Sequence, residues 1–229
     1  MVYKKIGIVI ADDDEFIPFS GLLKEKTEYN TSFRHSVLFR TGDVQFFAVC
    51  SGMGKVNAAA ATMFLIDRGC EAIFNFGLSG GLKGVKRGQF ILPDSFIEHD
   101  FDLTPLGYKP CEKPLQDYIY KADKELLSLF SEASGAYVAS TAVCGDRFIS
   151  DKKTGDFLID TFSASSCDME TAAMASVCHL MNVPFVSMRR ISDDAGDNAS
   201  DSYSDMNRND GKTLSAVFID SLHYICGEV

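Results

Sequence analysis

The chain has 229 residues, 46% hydrophobic and 24% charged, with no tryptophan and a formal net charge of −10. That composition suits a soluble globular protein, and the length suits one large domain, expected over residues 1–229, with a sizeable core. The negative charge, with no Lys/Arg cluster interleaved with aromatics, speaks against nucleic-acid or anionic-membrane partners, and no apolar stretch is long enough to span a bilayer.

The N-terminus lacks the pattern of a signal peptide. Ile6–Ile10 is an apolar run that predicts a buried strand, and four acids follow it, Asp12, Asp13, Asp14 and Glu15. Many α/β proteins place glycines and a basic residue at that point, where backbone N–H groups hold a phosphate. "VLFR" and "VQFFAVC" predict a hairpin around Thr41-Gly42-Asp43. "SGMG" then leads into "KVNAAAATMFLIDRG", an alanine-rich helix ended by Gly69. This turn is not a Walker A loop, because Val49 and Val56 stand where glycine and Ser/Thr are required. It reads equally as a tight turn and as a loop whose backbone approaches a ligand.

"AIFNFGL" (72–78) predicts a buried strand, followed by a glycine-rich turn and the extended run "QFILPDSFIEHDF". Residues 115–133 predict an amphipathic helix, 136–145 a strand, 168–182 a small-residue helix, 184–193 a strand and 211–226 a C-terminal helix. The alternation points to an α/β sandwich, three layers (α/β/α) around a twisted, mixed central sheet. Sites in such sheets gather at the carboxyl ends of strands. The acids at 12–15, the turn at 77–81 and Ser192-Asp193 would then share one edge.

Seven cysteines (50, 70, 111, 144, 167, 178 and 226) are scattered, odd in number and free of C-x-x-C pairs. They read as small core hydrophobes in a reducing compartment, which makes the cytoplasm the expected address. "GLSGG" (77–81) matches G-x-S-x-G, with Ser79, Asp193 and His223 in hydrolase order. A nucleophile elbow needs a helix directly after it, however, and "LKGVKRGQF" leads to a strand. "EHDFD" (98–102) offers His99 and carboxylates without a second ligand cluster, so no metal is expected. In "CDMETAAMA", Asp168 can cap a helix whose N-terminal end favours Glu170. Asp193 ends a strand, either as a proton donor of raised pKa or as part of a solvated turn.

Taken together, "KIGIVIADDDEF", "SGMGKVNAAAAT", "GLSGGL", "HDFDLTPLGY", "GDRFI", "CDMETAAMASVCHLMNVPFV" and "RRISD" resemble the 5′-methylthioadenosine/S-adenosylhomocysteine nucleosidases of the nucleoside phosphorylase superfamily. The segments keep that family's order and approximate spacing from residue 5 to residue 193. The resemblance implies a nucleoside phosphorylase-like fold and hydrolysis of the bond between adenine and a thio-substituted ribose, with no cofactor. By resemblance Glu15 is the base that orients water and Asp193 the acid at adenine N7. Glu170 holds the ribose hydroxyls with Met169 against the sugar, and Ser79 and Gly80 belong to the substrate site. Phe148 stacks on adenine, and the Ile149 backbone meets its polar edge. Ser192 orients Asp193, Arg189 lies near the water, and Met53 lines the apolar 5′ pocket. Leu103, Leu106 and Tyr108 face the 5′-substituent of a neighbouring subunit, so the resemblance also implies a homodimer.

Acids at 12–15 would repel phosphate while serving a water nucleophile, which favours hydrolysis over phosphorolysis; alternatively Asp12, Asp13 and Asp14 are solvated, with Glu15 alone in the site. The chain departs from the family at Phe76 and Leu78, where small hydroxyl residues are expected, at Asp168 in place of Glu, and in "DAGD" after Ser192-Asp193. The competing readings are a purine nucleoside or methylthioadenosine phosphorylase and a non-catalytic nucleoside binder.

Overall fold

A computed structural model describes residues 3–227, the side chains of 206–211 excepted, so both ends of the 1–229 span lie outside it. Strand β1 (Lys5–Ile10) feeds helix α1 (Asp13–Leu22), and β2 (Thr27–Glu28), β3 (His35–Thr41) and β4 (Val44–Cys50) follow. The β3–β4 hairpin turns at Gly42-Asp43, where Gly42 adopts φ 55°, a left-handed conformation that glycine reaches without Cβ strain. Then come α2 (Lys55–Asp67), β5 (Ala72–Gly81), β6 (Phe90–Pro93), β7 (Ser95–Glu98) and, after a 3₁₀ turn at Thr104–Leu106, β8 (Ile119–Lys121). The chain ends with α3 (Lys124–Ser134), β9 (Tyr137–Ala139), β10 (Ala142–Cys144), α4 (Lys152–Phe162), β11 (Ser166–Asp168), α5 (Thr171–Met181), β12 (Phe185–Asp193) and α6 (Ala199–Cys226).

The sheet is mixed, as expected, in the order β2-β3-β4-β1-β5-β11-β10-β7-β8. β5 is its branch point. It lies parallel to β1 and β12, while its last residues pair antiparallel with β11, Gly80 opposite Cys167. β12 carries β6, and β6 carries β9. Helices α1, α3 and α6 form one layer, and α2 and α5 pack together on the sheet as another. Among the described residues no helix is long and apolar enough to cross a membrane.

β5 is buried along nearly its whole length, which explains its near-continuous apolar sequence. Phe76 leaves it into an aromatic core, with ring centroids 4.4 Å from Phe218 and 5.3 Å from Phe19. Such pairs add about 0.5–1.5 kcal/mol each beyond burial. Phe76 is therefore a core residue, and of the two departures in this strand only Leu78 reaches the site.

Several sequence expectations need correction. Residues 115–133 do not make one helix. Residues 119–121 pair with β7 as β8, and α3 starts only after Asp123, whose carboxylate caps it by accepting from the Glu125 and Leu126 N–H groups, each at 3.0 Å. The runs 89–101 and 136–145 each break into two strands, β6/β7 and β9/β10. The last helix starts at Ala199, twelve residues earlier than expected. Helices α1 and α4 and strand β11 were not anticipated.

Candidate active site

The carboxyl ends of five strands meet at one cavity of about 220 Å³. β1 delivers Asp12 and Glu15, β5 delivers Leu78, Ser79 and Gly80, and β12 delivers Arg189, Ser192 and Asp193. The segments after β10 and β11 add Phe148, Ile149, Met169 and Glu170, and the turn before α2 adds Met53. The expected common edge of the sheet therefore exists. Leu103, Leu106 and Tyr108 do not line this cavity; Leu106 and Tyr108 stand exposed on the surface.

Three buried carboxylates dominate the site. Glu15 lies in the first turn of α1, which Asp12 caps by accepting the Asp14 N–H at 3.1 Å. Its Oε1 accepts the Leu78 N–H at 2.7 Å. Burial pushes its pKa up to about 8, against the pull of Arg189 and of that N–H. Of the acids around it, Asp13 turns away to Arg34 and His35, while Asp12 stays in the cavity.

Glu170 takes the N-cap position of α5, but the capping work falls to Asp168. That carboxylate accepts from the Glu170 and Thr171 N–H groups at 2.9 and 2.8 Å and from the Thr171 hydroxyl at 2.7 Å. Glu170 is thereby left to face the cavity, with Oε1 accepting the Gly54 N–H at 2.8 Å. Burial first, and the neighbouring Asp168 second, raise its pKa to about 7. Gly54 adopts φ 94°, so the "SGMG" segment is both a tight turn and a site loop. Its backbone holds a site carboxylate and its Met53 lines the cavity.

Asp193 is aimed by an irregularity in β12. Ile191 pairs with Ser79 and Asp193 with Gly80, so Ser192 is the extra residue of a bulge, a device that re-aims a side chain. Asp193 accepts the Ala195 N–H at 2.8 Å on Oδ1, and the Ser192 hydroxyl lies 2.6 Å from Oδ2. Its pKa is raised, burial outweighing both hydrogen bonds. A Cβ on Gly80 would lie 3.1 Å from Asp193 Oδ1 and 2.9 Å from Cys167 Sγ, so glycine here makes room for the acid.

Arg189 forms the floor. Its guanidinium donates to Ser79 Oγ at 2.8 Å, to Asn75 Oδ1 at 3.0 Å and to the Leu78 carbonyl. Asn75 is itself fixed by the Ser187 hydroxyl at 2.6 Å and by its own bond to the Val9 carbonyl at 2.9 Å. This network decides against a serine nucleophile. The Ser79 hydroxyl accepts from a guanidinium, β5 runs on to Gly81, and His223 sits in the last turn of α6 and does not line the cavity.

A second network holds the loop that carries Phe148 and Ile149. Asp146 Oδ1 accepts the Lys55 N–H at 2.8 Å, the Asp146 N–H donates to Asp100 at 2.9 Å, and Lys55 Nζ reaches Asp100 at 2.5 Å. Glu98 pairs with Lys55 and Lys113. Glu98 and Asp100 of "EHDFD" thus serve as ion-pair partners, while Asp102 accepts the Thr104 N–H at 2.7 Å.

Sequence reasoning did not place Tyr203 in the site. It lines the cavity from the start of α6 and sets its ring edge-on to Phe148, centroids 5.6 Å apart at 70°. Its polar surroundings in "DNASDSYSD" offer no apolar periodicity, and only its position ten residues after Asp193 could have signalled it.

Chemically, the cavity offers carboxylates able to exchange a proton within an otherwise largely apolar wall. Its two arginines are both engaged, Arg147 with Asp151 at 3.0 Å and Arg189 as described.

The model of the phosphorylase superfamily matches residues 5–222. A 5′-methylthioadenosine/S-adenosylhomocysteine nucleosidase of Haemophilus influenzae (strain PittEE) is 33% identical, covering 95% of this chain and 98% of its own. One of the same name from Anoxybacillus flavithermus is 35% identical over 86% of this chain and 89% of its own. Among solved structures, an S-adenosylhomocysteine nucleosidase of Streptococcus pyogenes, in complex with 5-methylthiotubericidin, superposes with a TM-score of 0.89 at 26% identity. It covers 97% of this chain and 98% of that one.

Proposed function

The chain belongs to the phosphorylase superfamily and, within it, to the 5′-methylthioadenosine/S-adenosylhomocysteine nucleosidases, and from that membership we propose how its cavity works. The protein is an N-glycosyl hydrolase that splits 5′-methylthioadenosine and S-adenosylhomocysteine into adenine and the thio-substituted ribose. The observation that carries the mechanism is the convergence of Glu15, Glu170 and Asp193 in one cavity.

Breaking the C1′–N9 bond leaves a sugar with oxocarbenium character and an electron-rich purine. Asp193 delivers its proton to adenine N7 so that the base leaves neutral, with Ser192 and the Ala195 N–H fixing its carboxyl. Burial raises its pKa, which favours the protonated form that this step needs. Glu15 takes a proton from the water that adds to C1′. Its pKa of about 8 brings it near the operating pH, where a base works best, and growing positive charge on the sugar favours its ionised form. Glu170 accepts from the ribose hydroxyls, with Met169 against the sugar. Phe148 stacks on the purine, and the Ile149 backbone bonds its edge. Ser79, Gly80 and Arg189 shape the floor, and Met53 packs against the 5′ thioether, a soft contact that suits sulfur.

Phosphorolysis would need donors turned towards an anion. The buried lining arginine, Arg189, is committed to protein partners, and acids crowd the end of β1. Glu15 among them serves a water nucleophile. Retention of all three carboxylates also argues against a pure binder. We further read the molecule as a cytoplasmic homodimer, with Leu103, Leu106 and Tyr108 closing the 5′ pocket of the partner. Two of the three are exposed in the isolated chain, Leu106 to 72%.

The test is adenine release from methylthioadenosine in phosphate-free buffer and with phosphate added, with identification of the sugar. Free methylthioribose in both is the expected result. A sugar 1-phosphate formed only with phosphate refutes the water mechanism.

A further inference from the structure

Two polar side chains of the cavity have no part in the roles above. Asp12 lines it immediately before α1, and Tyr203 lines it from α6. Asp12 spends Oδ1 on the Asp14 N–H at 3.1 Å, and a carboxylate has acceptor capacity beyond one such bond. Tyr203 lines the same cavity as Asp12, Glu15 and Glu170. Burial and then the charges of Glu15, Asp12, Glu170 and Asp14 disfavour its ionisation. Its ring rests edge-on against Phe148 at 5.6 Å.

With the purine assigned to Asp193, Phe148 and Ile149, and the ribose hydroxyls to Glu170, Asp12 and Tyr203 are left to share the 5′ end of the nucleoside with Met53. A methylthio group offers neither residue a hydrogen-bond donor. It would desolvate a carboxylate and a phenol without replacing their water, which costs free energy at each. A hydroxyl donates to a carboxylate and accepts from a phenol, and an ammonium donates to both.

Resting on the nucleosidase reading, we propose that Asp12 and Tyr203 form a polar subsite at the 5′ position that takes adenine nucleosides whose 5′ group is a hydrogen-bond donor, an amine or hydroxyl. The reaction is the same hydrolysis: water adds to C1′, the C1′–N9 bond breaks, and adenine leaves with the proton from Asp193.

The test compares kcat/KM for 5′-amino-5′-deoxyadenosine, adenosine and methylthioadenosine in the wild type and in Asp12→Asn and Tyr203→Phe. Asparagine caps a helix as well as aspartate does, and phenylalanine keeps the ring against Phe148, so both variants retain the local packing. The expected result is a fall of about tenfold or more in the amine-to-methylthio ratio for Asp12→Asn, and a similar fall in the hydroxyl-to-methylthio ratio for Tyr203→Phe. Ratios within twofold of wild type in both variants overturn the subsite. So does a wild type that cleaves methylthioadenosine but neither of the other two. A wild type that releases adenine from none of the three overturns the nucleosidase reading instead, and the subsite with it.

Discussion

Glu15→Gln should kill the enzyme and strengthen the protein. The carboxyl is 6% exposed, and burial lifts its pKa from 4.5 to about 8. Below pH 4.5 the group is protonated whether the chain is folded or not, and burying it carries no ionic penalty. Between pH 4.5 and 8 the unfolded chain ionises while the folded chain holds its proton, so stability falls as pH rises. At ~1.36 kcal/mol per pH unit, the rise from 4.5 to about 8 sets a ceiling of ~5 kcal/mol lost by pH 8. Glutamine cannot ionise and still accepts the Leu78 N–H through its carbonyl oxygen. Its amide N–H groups must find acceptors or cost about 1–3 kcal/mol, leaving a net gain of roughly 2 kcal/mol at pH 8. For a chain of this size that is a rise in Tm of about 4–8 °C. Scanning calorimetry on wild type and variant at pH 5 and pH 8 reads it directly, beside an adenine-release assay in which the variant is inactive. A variant that melts no higher than wild type at pH 8, or that gains as much at pH 5, refutes the argument that this carboxylate is held against its own stability.

Asp193→Asn keeps the side chain's shape but removes its proton-delivering form, and kcat should fall by about 10²–10⁴. Adenine should still bind, since Phe148 and Ile149 remain; a variant with wild-type kcat would remove Asp193 from the chemistry. Gly77→Ala probes the crowding behind β5, because its Cβ would lie 2.6 Å from Arg189 Nη1 and 2.9 Å from Glu15 Oε1. One or both must move, so stability should drop by about 1–3 kcal/mol and turnover at least tenfold, as denaturant melts and initial rates will show.

What the sequence disclosed about this molecule follows how local each signal is. β5 and β12 are buried strands whose apolar runs need no partner to be recognised, and alanines and terminal signals mark α2 and α5. Helix α1 hid behind its own acids and Pro18, since three of its first residues are charged to suit the helix end and not to trace an apolar face. β8 and β11 are three residues each, and their strand character comes from β7, β10 and β5, which no local window contains. The carboxylates were legible because they sit inside motifs with fixed neighbours. Tyr203 was not, because its place in the cavity depends on where α6 begins, and the polar residues after 199 disguise that helix. Leu78 drew notice as a departure and does line the cavity, yet what it gives Glu15 is a backbone N–H that any residue there could supply.

The branching of the sheet at β5 has a consequence for how the molecule is made. Both neighbours that complete its carboxyl end, β11 and β12, lie far downstream in the chain. A ribosome that has just finished Gly81 must add roughly 110 more residues before Asp193 exists, which takes on the order of 5–20 s. Over that interval β1 and β5 can pair, but β5 keeps one edge of unpaired N–H and C=O groups, and such an edge can recruit strands from other chains. Glu15, made early, meanwhile waits for an arginine that arrives 174 residues later. The nascent chain is thus most in need of protection from its neighbours while residues 82–193 are being made.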